Sequence, residues 1–138
     1  MSDYVLALGA DAELRNAVLE TPGLQSYQIR FCDCSEQLHQ MLPEIREQAI
    51  VVFVDVSHRP TGTSFPGIPD IKSLFPASQV ILLSQWADET LWIEALQQGA
   101  FDVLSKPLDS REFRRVVDNA IQKYHARLAS QKLRAAVK

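Results

Sequence analysis

The sequence has few cysteines, few glycines and no long apolar run. Two cysteines, Cys32 and Cys34, cannot build a disulfide framework, and we read their scarcity as a sign of a reducing, cytoplasmic setting. They sit at i, i+2, but no histidine or further cysteine completes a set of soft-metal ligands around them. The three histidines, His39, His58 and His125, lie on separate segments, so none is given a catalytic role. No apolar stretch approaches the roughly 18–20 residues that cross a bilayer, so no membrane partner is expected. Met1-Ser2-Asp3-Tyr4 does not lead from basic residues into an apolar core, so no secretory signal is expected either. Only one glycine, Gly9, follows the first apolar run. This argues against a small nucleotide-binding domain, which needs a glycine-rich phosphate loop there.

What is present suits one folded domain. The chain has 138 residues, 46% of them apolar and 22% charged, enough apolar surface to offset the entropy of ordering. The net charge of −3 hides an asymmetry, because residues 111–138 carry 8 Lys/Arg against 2 Asp/Glu while residues 1–110 carry 6 against 15. We read the basic end as the solvated face of a helix rather than a polyanion-binding tail.

Short apolar runs alternate with helical periodicity. Tyr4–Leu8, Gln28–Cys32, Ala49–Asp55, Gln79–Ser84 and Asp102–Leu104 read as strands; the third is the most β-prone and shows no alternation. Between them, Leu14, Ala17 and Val18 follow a capping Asp11. Asp33 with Glu36 has capping-box spacing ahead of Leu38, Met41, Leu42 and Ile45. Residues 57–69, with three prolines and two glycines, read as a loop, followed by a short helix over Asp70–Phe75. A helix opened by Asp88 and Glu89 carries Trp92, Ala95 and Leu96 on one stripe, which places Trp92 in the core; Trp86 falls in the loop before it. The last helix opens at Asp109 and keeps its stripe from Phe113 to Leu128. Such alternation predicts an α/β fold, a doubly wound five-stranded parallel sheet with helices on both faces.

In such sheets, reactive groups gather beyond the carboxyl ends of the strands. Asp55, Ser84 and Lys106 end the third, fourth and fifth strands. A carboxylate, a hydroxyl and an ammonium should therefore meet at one edge. That set suits phosphoryl chemistry, with a carboxylate nucleophile and a cation to neutralise developing charge.

On these residues and on Gln98-Gly99-Ala100-Phe101-Asp102-Val103-Leu104-Ser105-Lys106-Pro107, the chain resembles the receiver domain of two-component response regulators, the flavodoxin-like receiver fold, over about residues 3–125. The resemblance implies that Asp55 is the phosphoacceptor, that Ser84 follows the phosphoryl group, and that Lys106 pairs with it. It also implies a cis Lys106–Pro107 bond, a sensor histidine kinase as donor, and catalysis limited to self-phosphorylation and dephosphorylation. The departures are specific. Gly9 and Ala10 stand where the family carries two acids that hold Mg²⁺ with the phosphoacceptor. The ligands left for Mg²⁺ are Asp55, Asp11 one place late, and the Ser57 backbone, which weakens binding. Val103 replaces the family's switch aromatic, and Gln85 follows Ser84 where a small residue is usual. A second reading is therefore kept: a pseudo-receiver interaction module of the same fold that works without phosphorylation.

We expect residues 1–125 to form the receiver-like domain and 126–138 a basic helical extension or linker to an output domain beyond Lys138. A homodimer would use the fourth-helix and last-helix face. Nucleic acid would be met only through that output domain.

Overall fold

The computed structural model describes residues 3–33, 35–45, 48–56, 68–85 and 88–136. Five strands, β1 (Tyr4–Leu8), β2 (Gln28–Cys32), β3 (Ala49–Asp55), β4 (Gln79–Ser84) and β5 (Asp102–Ser105), alternate with five helices. The helices are α1 (Ala12–Glu20), α2 (Ser35–Ile45), α3 (Ile68–Leu74), α4 (Glu89–Gln97) and α5 (Ser110–Ala136). The sheet is parallel throughout, in the order β2-β1-β3-β4-β5. The expected doubly wound α/β sheet is thus the observed one.

Strand composition explains the layering. Every residue of β1, β3 and β4 is buried, as expected of central parallel strands covered on both sides. Alternate residues of β3 divide between the two cores. Val52 and Val54 pack on the side of Leu38, Ile71, Phe75 and Ala95. Val51 and Phe53 pack on the side of Leu14, Val18, Phe113 and Val117. The Phe53 and Phe113 rings stack at 5.5 Å between centroids, fixing the start of α5 against the middle of the sheet.

Three local expectations are corrected. The third helix starts at Ile68 rather than Asp70, because Pro69 suits a first helical turn, where its missing N–H costs nothing. Asp33 does not cap α2. Its backbone N–H donates to Gln37 Oε1 at 2.7 Å while its carboxylate pairs with Arg15 at 3.0 Å. Trp92 is 46% exposed, since the narrow sheet-facing stripe of α4 is filled by Leu91 and buried Ala95; its indole N–H donates to Asp102 Oδ1 at 3.3 Å. Cys34, Ser57, His58 and Trp86 lie outside the described residues. No described helix is long and apolar enough to cross a membrane.

Candidate functional site

The connection leaving β1 runs to β2 on one side and the connection leaving β3 runs to β4 on the other, so the order reverses between β1 and β3, and this is where an open α/β sheet places its crevice. Gly9 makes the turn off β1. Its φ of 70° lies in the left-handed region that glycine adopts without strain, and its N–H donates to Cys32 O at 2.8 Å. The chain thereby brings Asp11 to the N-cap of α1, where Oδ1 accepts the Leu14 N–H at 3.0 Å.

Asp55 ends β3 and Ser84 ends β4; both are buried, at 3% and 2% exposure. Lys106 follows β5, and its backbone N–H donates to Ser84 O at 3.0 Å, locking the ends of β4 and β5 together. The Lys106 ammonium then reaches back under the sheet edge. Its Nζ lies 2.6 Å from Asp55 Oδ2, and both side chains are almost fully enclosed. It also donates to Asp11 Oδ2, and Glu13 Oε1 stands 3.9 Å away. Burial alone pulls the Lys106 ammonium down, but the hydrogen bonds and charges of Asp11 and Asp55 outweigh it, and the group titrates above an ordinary lysine. The expected corner of carboxylate, hydroxyl-bearing residue and ammonium is present. The Lys106–Pro107 bond is cis.

Glu13 is the residue that sequence reading passed over. Its Oε2 accepts the Leu108 N–H at 2.8 Å, which pins the loop after Lys106 to the first turn of α1. In the sequence it reads only as an acid in a helix's first turn, and nothing in the spacing links it to residues 95 positions away.

The donor set is a poor fit to Mg²⁺ as arranged. Gly9 and Ala10 bring no side-chain oxygen. Asp11 spends one oxygen on the α1 cap and the other on Lys106, and Asp55 Oδ2 is held by the same ammonium. Among the described residues no group of three or more His, Cys, Asp and Glu could hold a metal ion. Val103 is buried beside a cavity of about 300 Å³ bordered by Ser105, Trp92, Asp88 and Glu89, and Gln85 is exposed.

Comparison with known proteins agrees with this architecture. No family model matches the chain. The transcriptional regulatory protein ZraR of Escherichia coli K12 is 31% identical over 88 residues, covering 63% of this chain and 20% of ZraR. The chain spans about a fifth of the length of the curated relatives it matches. The signal receiver domain of an HD domain-containing protein from Pseudomonas fluorescens Pf-5 superposes with a TM-score of 0.71 at 20% identity, covering 91% of this chain and 99% of that one. A response regulator from Thermotoga maritima does so with a TM-score of 0.69 at 23% identity, over 88% and 99%. The chain carries the receiver fold of two-component response regulators, with glycine and alanine at the usual acid positions.

Proposed function

We propose that the chain is a cytoplasmic response-regulator receiver that accepts a phosphoryl group on Asp55 and passes the change to an output domain or protein. The observation that carries this reading is the enclosed Asp55–Lys106 pair, 2.6 Å apart at the crevice, with Ser84 buried on the adjacent strand end. An Asp55 carboxylate oxygen forms the new O–P bond. The bond from phosphorus to the donor, a phosphohistidine of a sensor kinase or a small acyl phosphate, breaks, and its electron pair leaves with the donor. Lys106 neutralises charge on the transferring oxygens, and the Ser84 hydroxyl donates to one of them. Water attack on phosphorus later restores the carboxylate and releases inorganic phosphate. This self-contained cycle is signalling rather than conventional enzymology.

The residues that would hold Mg²⁺ are Asp55 and Asp11, and the ion would supply further charge neutralisation. Because both carboxylates are engaged by Lys106, we expect its binding to be weak. The same engagement, with Gly9, Ala10 and Val103, favours a second reading: an interaction module of this fold that works without phosphorylation. Trp92, Ile93 and the acids around them then serve as the contact face, which is also the face of a homodimer.

The decisive measurement is the intact mass of the protein after incubation with acetyl phosphate across a Mg²⁺ series. A gain of one phosphoryl group that disappears in Asp55→Asn is expected. No gain at any Mg²⁺ concentration would leave the second reading in its place.

A further inference from the structure

At the edge of the sheet opposite the crevice, three cations meet without a carboxylate. Ser78 and Phe101 lead into β4 and β5, so they mark the amino ends of the strands whose carboxyl ends carry Ser84 and Lys106. α3 packs on one face of the sheet through Ile68 and Ile71, and α5 on the other through Phe113 and Val117. Both helices run back to this edge. Lys72 of α3 is half-buried, and its Nζ donates to Ser78 O at 2.6 Å. Lys123 of α5 stands over the Phe101 ring, with Nζ 5.5 Å from the centroid. Arg127 follows one helical turn later on the same side of α5. None of the three forms an ion pair among the described residues, whereas Arg15, Arg30 and Lys106 all do. The unmatched charge acts within the cluster: burial, then the positive charges of Arg127 and Lys123, hold the Lys72 ammonium below an ordinary lysine. Lys123 and Arg127 are exposed, so the cluster is open to a ligand from solvent.

We propose that Lys72, Lys123 and Arg127 form an anion site that takes a diphosphate group, either as free pyrophosphate or carried on a nucleotide. The ligand class follows from the amount of charge and from its extent. A carboxylate leaves two of the three cations unmatched, and a phosphate monoester, at about −1.5 to −2 near neutral pH, still leaves one. A diphosphate group matches all three, and it has oxygens enough for two ammonium points and a guanidinium fork. A long polyanion fits less well, because the positive patch is bounded on the β1 side. There burial and then the charge of Asp3 raise the phenol of Tyr124, the neighbour of Lys123, so the sign of the field changes within a short distance. This site involves no phosphoryl transfer and lies at the far edge of the sheet from Asp55, so it stands apart from the reading of the crevice.

The test is a titration of the isotopically labelled chain with sodium pyrophosphate, followed by amide NMR in divalent-free buffer at constant ionic strength. Saturable shifts are expected at the amides of residues 72–78, 99–101 and 123–127. Arg127→Gln should weaken binding about tenfold, the usual worth of one charge-assisted hydrogen bond, and Arg127→Glu should abolish it. Position 127 is exposed, and far-UV circular dichroism checks that both variants fold. ADP titrated in the same way separates the two sources. Equal or weaker affinity for ADP assigns the site to the bare diphosphate, and tighter binding with further shifts assigns it to a nucleotide. The absence of saturable shifts, shifts that sodium chloride reproduces, shifts centred on residues 55, 84 and 106, or undiminished binding to Arg127→Glu would overturn the proposal.

Discussion

At the scale of single residues, Lys106 decides the character of the crevice. A carboxylate enclosed as fully as Asp55 is tolerable only with a partner, because an uncompensated buried charge costs several kcal/mol, while a matched pair roughly breaks even against apolar residues of similar volume. Lys106→Met should therefore destabilise the protein by about 3–5 kcal/mol. Adding Asp55→Leu should recover most of that loss. Urea denaturation of the parent, the single variant and the double variant checks both statements. A single variant with the parent's midpoint would mean that the ammonium does not hold the buried carboxylate in place. Asp11 and Glu13, each about a third exposed, lean on the same ammonium from the solvent side, where water shares the charge.

At the scale of elements, α1 is where the site meets the scaffold, since one side chain both caps the helix and grips Lys106. The two roles separate by substitution. Asparagine caps about as well as aspartate, whereas alanine forfeits the cap at a typical cost of about 1 kcal/mol. Asp11→Asn should thus remove only the ion pair, and Asp11→Ala should be less stable than Asp11→Asn by roughly that amount in thermal unfolding. Equal melting temperatures for the two variants would show that the cap contributes nothing. The order and type of the elements were legible because apolar runs and helical stripes alternate cleanly from Tyr4 to Leu128. Element ends were less so. Asp33 is capping-box chemistry by spacing, but Arg15 from the neighbouring helix claims its carboxylate, a contact across 18 residues that no local pattern contains. Trp92 falls on an apolar stripe by count. A nine-residue helix has too narrow a contact face to bury it once Leu91 and Ala95 are seated.

At the scale of the whole molecule, the crevice was legible to the extent that topology creates it. Once three consecutive strands are parallel, Asp55, Ser84 and Lys106 must end on one edge. The engagement of Lys106 by Asp11 and Glu13 was not legible, because it depends on the angle at which α1 leaves Gly9 and on a lysine that reaches back across the edge. That engagement sets the behaviour of the protein at high pH. A lysine whose folded value is raised contributes stability that is complete below the ordinary lysine value of about 10.4 and is lost as pH climbs through the folded value. Three phenols act in the same direction. Tyr4 is raised by its hydrogen bond to Glu44, and Tyr27 and Tyr124 by burial, so each favours a protonated folded state past about pH 10. Stability should be flat from neutrality to about pH 9 and fall steeply above pH 10. The Lys106→Met/Asp55→Leu variant keeps the phenols and lacks the ammonium, so its decline above pH 10 should be shallower than the parent's in urea denaturation run at stepped pH. Parallel curves would assign the alkaline loss to the tyrosines alone and show that the ion pair at the crevice does not couple folding to pH.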